Sequence, residues 1–159
     1  MPFTDVSETA APSVAWLYSQ GITNGTSATT YAPNDTLTWA AALKLLLVSN
    51  GDLKAADATG ADWSKNAIAK AAELGLVAAD LDGAKAISRL EFCQVAAKLN
   101  KLAESKTESK FTDCADGYVM ALVDAKVISG MTETTFEPAA SLTRAQIAKI
   151  LYQLTLIEK

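Results

Sequence analysis

The chain has 159 residues, half of them hydrophobic and a fifth charged, with a net charge of −4. That composition belongs to a folded domain rather than a disordered tail, and its acidic balance argues against a nucleic-acid partner, which needs a basic stripe. Histidine is absent, which removes the commonest general base and the usual Ser-His and Cys-His nucleophile pairs, so the chain reads as a non-enzyme.

Cys93 and Cys114 cannot form a metal-ligand cluster without histidine nearby, and no metal or cofactor is expected. They read as small buried apolar residues or as a single bridge. Apolar runs such as Leu45–Val48 are far too short to span a bilayer. The amino-terminal Met1-Pro2-Phe3-Thr4-Asp5 has neither the basic region nor the apolar stretch of a secretory signal. The expectation is a piece or mature part of a longer protein, or a chain that never uses that export route.

The first unit opens on Phe3-Thr4-Asp5-Val6. Val14, Leu17 and Tyr18 then lie seven, four and three residues before Gly21, the spacing of one helical face. Gly21 suits the left-handed residue that ends a helix. Between Gly21 and Thr38 lie Gly25, Tyr31-Ala32-Pro33 and Leu37. The aromatic-x-Pro element is expected to bury its ring and steer the chain into a second helix, with Leu37 as a hydrophobic staple. Thr38 caps that helix, which carries Ala42, Leu45, Leu46 and Ser49 on one face.

After a polar connection over 50–60, the second unit presents Asp62-Trp63-Ser64 and a first helix with Ile68, Ala71 and Ala72 before Gly75. Its loop is thirteen residues rather than seventeen, and an Asp82-Gly83 turn replaces the aromatic and the proline. Ser88 caps the second helix, with Phe92, Val95, Ala96 and Leu99 on its apolar face. A second polar connection runs over 100–110. The third unit then repeats the first: Phe111-Thr112-Asp113-Cys114, a helix with Val119, Leu122 and Val123, Gly130, Phe136-Glu137-Pro138, Leu142 and the cap Thr143. Ile147, Ile150, Leu151 and Leu154 complete its second helix. Lys126 stands where the other units have glycine, so it must adopt a geometry unfavourable to a side chain or end its helix differently. The units divide as residues 1–50, 51–104 and 105–159. Each is too small for a stable core of its own, so the three are expected to pack together as a mostly helical molecule.

Arginine occurs twice, each time at the start of a second helix: Ser88-Arg89-Leu90-Glu91 and Thr143-Arg144-Ala145-Gln146. Ser88 with Glu91, and Thr143 with Gln146, make capping boxes. The caps do not explain the arginine, because a cation in the first turn opposes the helix dipole. Every other positive charge is lysine, so the planar fork itself is the selected feature. Beside free helix-start amides it could trap an anion, or it could pair with an aspartate of a Phe-x-Asp element. The first unit has Trp39 at the arginine position and Ala41 at the Glu/Gln position.

The order Phe-x-Asp-Val, first helix, Gly-Ile-x-x-Gly, aromatic-x-Pro, then Leu-Thr-Arg-Ala-Glu resembles the S-layer homology domain. Residues 3–47 and 111–154 follow that pattern closely and 62–99 follow it in weakened form. The resemblance implies three repeats around a pseudo-threefold axis, forming a non-catalytic module that anchors surface proteins to a bacterial envelope. Grooves between lobes would hold secondary cell-wall polysaccharide, often bearing an acidic pyruvate ketal. By motif position the ligand contacts fall on Arg89 and Arg144. Trp63 could stack on a sugar face, and Trp39 could do so or simply pack in the core, while Gly25 and Gly130 would form turns and leave the groove open. With the arginine missing from one unit and the loop from another, at most two of three grooves keep the cation. The expected partner is cell-wall polysaccharide, with a possible fused or assembled surface protein and no membrane insertion. The alternative is a structural or protein-interaction protein that reuses the fold, for example a phage virion component.

Overall fold

The computed structural model describes residues 1–157. Six α-helices form among the described residues: α1 (Ala11–Ser19), α2 (Trp39–Ser49), α3 (Trp63–Glu73), α4 (Arg89–Leu99), α5 (Gly117–Asp124) and α6 (Arg144–Thr155), with a 3-10 turn at Ala55–Ala58. The expected mostly helical class is what is found. Each second helix starts where its cap predicts. Thr38 Oγ1 accepts from the Ala41 amide, and both capping boxes, Ser88 with Glu91 and Thr143 with Gln146, close in both directions. Asp116 caps α5 by accepting from the Tyr118 and Val119 amides.

The first helices end as the glycine positions require. Gly21 and Gly75 have φ of 71° and 76°, and Lys126 adopts φ 61° at the matching place. Of the predicted first-helix faces, Val14, Leu17, Ala71, Val119 and Leu122 are buried. Tyr18 is exposed instead and meets Phe3 edge-on at 5.5 Å. Cys93 is buried and Cys114 half-buried, and both are free thiols. Burial pushes the Cys93 thiol up to about 12, so it stays protonated and packs as an apolar group.

The aromatic-x-Pro loops are held by the aspartates that open their units. Asp5 accepts from the Tyr31 and Ala32 amides at 2.9 and 2.8 Å, and Asp113 accepts from Phe136 and Glu137 at 2.8 and 2.9 Å. These bonds steady Ala32 and Glu137, which sit at φ 57° and 60°. Tyr31 and Phe136 are fully buried, 5.7 Å from Phe3 and 5.5 Å from Phe111 respectively. A Cβ on Gly25 would collide with the Phe3 ring, and one on Gly130 would lie 2.5 Å from Phe111 Cε1. Both glycines therefore make room for a ring. Gly130 has no positive φ, so space alone demands it.

Successive units are linked in a cycle. The first two amides of α2 donate to Lys85 O and Gly83 O, those of α4 to Ala140 O and Pro138 O, and those of α6 to Asp35 O and Pro33 O. Each second helix thus plugs its free N-terminal donors into the loop of another unit. Helix packing follows a matching order, with α2 on α3, α4 on α5 and α6 on α1. Short antiparallel bridges, Thr36 to Thr143, Thr38 to Ala86 and Ser88 to Ser141, lie beside these contacts. Leu37 and Leu142 are buried here as the predicted staples.

Candidate functional site

The plug at each helix start brings the arginine onto a neighbouring loop. Arg144 Nε donates to Tyr31 O at 2.8 Å, and its guanidinium lies 4.6 Å from the Tyr31 ring centroid. Arg89 repeats this on Phe136: Nε to Phe136 O at 2.9 Å, and 4.6 Å to the ring. A planar fork stacks flat on the ring while its Nε donates sideways to that residue's carbonyl, a geometry that the compact ammonium of lysine does not reproduce. This explains the fork left over by the capping boxes.

Among the described residues neither arginine pairs with a carboxylate. The ion pair found among the described residues is Lys70 with Glu73 at 3.3 Å. The aspartates of the Phe-x-Asp elements turn to the loop amides instead, which holds both below the usual aspartate value of 3.8. For Asp5 the Tyr31 amide is the main cause, and for Asp113 the Phe136 amide. The guanidinium groups are not left unengaged, however. Arg89 is only 4% exposed and also donates from Nη2 to Ser129 O at 3.3 Å. Arg144 is half-buried, and its terminal nitrogens have no hydrogen-bond partner among the described residues.

Each arginine lines an open groove. Arg144 faces a cavity of about 390 Å³ together with Gly25, Asn24, Lys44, Thr59 and Trp63. Three units contribute: the first supplies the loop and α2, the second supplies the 3-10 turn and Trp63, and the third supplies the arginine. Arg89 lines a cavity of about 490 Å³ with Gly130, Lys110, Lys126, Gln146 and Lys149. Among the described residues neither lining contains a carboxylate. Of the residues predicted from sequence, the structure brings Arg144, Gly25 and Trp63 to one groove, and Arg89 and Gly130 to the other. Thr38, Ser88, Glu91 and Thr143 serve as caps away from both linings, while Gln146 both caps α6 and reaches the Arg89 groove.

Trp39 does not join them. It is 7% exposed, belongs to the core and lines neither groove. Its helix start meets the shortened loop of the second unit, where Gly83 stands at the place of Pro33 and Pro138. A Cβ on Gly83 would lie 2.6 Å from Ile68 Cδ1 and 3.0 Å from the Ala40 methyl, so this loop lies flat against its neighbours. The missing arginine and the missing aromatic-x-Pro loop are therefore two halves of the same contact. The other two contacts keep both halves.

A second cation accompanies the arginine in each groove. Lys44 lies six residues after the cap Thr38, and Lys149 six after Thr143; the matching residue in the second unit is Gln94. Lysine appears in this register only in the two units whose loops receive an arginine, and that spacing was the available signal. Lys44 sits over the Trp63 ring at 5.7 Å. Burial, reinforced by Arg144, lowers the Lys44 ammonium from its usual value. Two cations crowd one acid-free groove, a state that an incoming anion would relieve.

A family model of the S-layer homology domain matches residues 2–43 and 111–148, together half of the chain. Three curated relatives are each 28% identical over 96% of this chain: an endoglucanase of Bacillus sp. (strain KSM-635), an amylopullulanase of Thermoanaerobacterium thermosulfurigenes and exoglucanase XynX of Acetivibrio thermocellus. The chain spans 18%, 9% and 16% of their respective lengths. On the family match, with the loop and helix-start motifs that carry it, the chain belongs to the S-layer homology domain family.

Proposed function

We propose that the chain is a cell-wall anchoring module whose Arg144 and Arg89 grooves bind an acidic, pyruvate-bearing wall polysaccharide. The family is one of bacterial cell-wall anchors, and its domain is non-catalytic. The observation that carries the finer reading is the pairing of an arginine with a lysine in two acid-free grooves: Arg144 with Lys44, and Arg89 with Lys149. A sugar carboxylate could accept from the terminal nitrogens of Arg144 while Trp63 covers an apolar sugar face.

In this reading the molecule comprises three repeats, 1–50, 51–104 and 105–159, set around a shared pseudo-threefold axis; the cyclic helix-to-loop bonding supports that division. Cargo would be a surface protein or enzyme carried on the same polypeptide or assembled with it. The named relatives support this, since each extends far beyond the part it shares with this chain. The virion alternative draws no support from the family match or from these relatives.

Sedimentation with purified bacterial wall sacculi tests the proposal. The chain should pellet with untreated walls and stay in solution after mild acid has removed ketal-linked pyruvate. Equal pelleting before and after that treatment would overturn it.

A further inference from the structure

The two grooves differ in charge although they share a design. The Arg144 groove has two cations, Arg144 and Lys44, and its far wall is the 3-10 turn and Trp63. The Arg89 groove has four, adding Lys110 and Lys126 to Arg89 and Lys149, and no tryptophan. Four of the chain's fourteen positive side chains thus converge on one cavity, with no carboxylate among its described lining residues, in a molecule of net charge −4. Arg89 is nearly covered, whereas Lys110, Lys126 and Lys149 are exposed. Lysines therefore carry most of the positive charge that an incoming group would meet.

Lys126 adds an independent sign. It occupies the left-handed helix-ending position, φ 61°, where the other two units have glycine. A side chain there is disfavoured by sterics, so this lysine stands on the groove lining at a cost to the fold.

Resting on the anchoring reading above, we propose that the grooves divide the work: the Arg89 groove takes a glycan stretch bearing two or more anionic groups. The Arg144 groove takes a single acidic sugar against Trp63. Several mobile ammonium groups around an open cavity can follow charges spread along a chain, whereas one half-buried fork beside an indole fits one carboxylate and one ring face. Repeated ketals and phosphodiester links present the same chemistry to such a cavity.

Calorimetric titration with two probes tests this. One is a methyl glycoside carrying a single 4,6-pyruvate ketal, and the other is a glycerol-phosphate tetramer. Lys126→Gly and Lys110→Ala should each weaken tetramer binding roughly two- to fivefold, the range for exposed charge pairs, and leave the glycoside unchanged. Lys44→Ala and Trp63→Ala should weaken the glycoside and leave the tetramer unchanged. Lys101→Gly is the control for relieved strain, since Lys101 has φ 59° and lines neither groove. It should alter neither probe. Wall polymer stripped either of phosphate or of ketals then tells which anion the Arg89 groove meets in the wall. Unchanged tetramer binding in Lys126→Gly and Lys110→Ala, with the glycoside still bound by the wild type, would overturn the division of work alone. No binding of either probe by the wild type would overturn the anchoring proposal with it.

Discussion

The two arginines use different atoms for the fold and, in the proposed function, for a guest. Nε and the ring face are used up on Tyr31 and Phe136, which ties one unit to another. The terminal nitrogens of Arg144 are what remains for a guest. Arg144→Lys should keep the charge but lose the stack and the sideways bond, at about 1–2 kcal/mol, measured by urea unfolding. Arg89→Lys should lose more, because Arg89 is the more buried and has a further carbonyl partner. Lys126→Gly should go the other way, stabilising by about 1 kcal/mol as the left-handed strain is relieved. Asp5 and Asp113 set a pH dependence. Their folded values are depressed, so the stability they add is present above the ordinary aspartate value and is lost as pH falls through the lower folded value. An Asp5→Asn, Asp113→Asn double variant should be less stable than the wild type at pH 7. That gap should shrink as acid protonates the wild-type carboxylates, and unfolding curves at both pH values would show it.

At the scale of elements, caps and periodicity made the second helices readable, since both signals are local. Thr38, Ser88 and Thr143 all start helices, and their apolar offsets face the core. The loops were readable as unusual but not in their cause. Nothing local in Tyr31-Ala32-Pro33 says that an aspartate twenty-six residues earlier holds it, or that an arginine 113 residues later stacks on it. Trp39 allows two readings in sequence, a packing residue or a sugar platform, and only the fold decides between them. A tryptophan in an arginine's place suggests a substitute contact, but the loop it would have served is the shortened one, and the ring packs into the core. The glycine at the loop turn suggests an open groove in sequence, yet in the fold its missing Cβ admits a ring. Gly130→Ala should therefore destabilise by about 1–3 kcal/mol through overpacking against Phe111, with the loss visible in thermal unfolding.

For the whole molecule, the cyclic hand-over of helix starts to loops makes groove formation a product of folding. Each groove needs residues from more than one unit, so a single unit should neither fold nor bind. The degenerate contact joins the Trp39 helix start to the Asp82-Gly83 loop without an arginine, and the proposed binding falls on the other two contacts. The three tryptophans occupy distinct settings: Trp39 in the core, Trp16 edge-on to Tyr152 at 5.8 Å, and Trp63 in the Arg144 groove. The most direct measurement is an NMR titration of the three indole N–H signals with purified pyruvylated wall polysaccharide. Binding in the Arg144 groove predicts that the Trp63 signal moves and saturates while those of Trp16 and Trp39 stay in place. A saturable shift of Trp16 or Trp39 with Trp63 unmoved, or no shift of any indole, would contradict it.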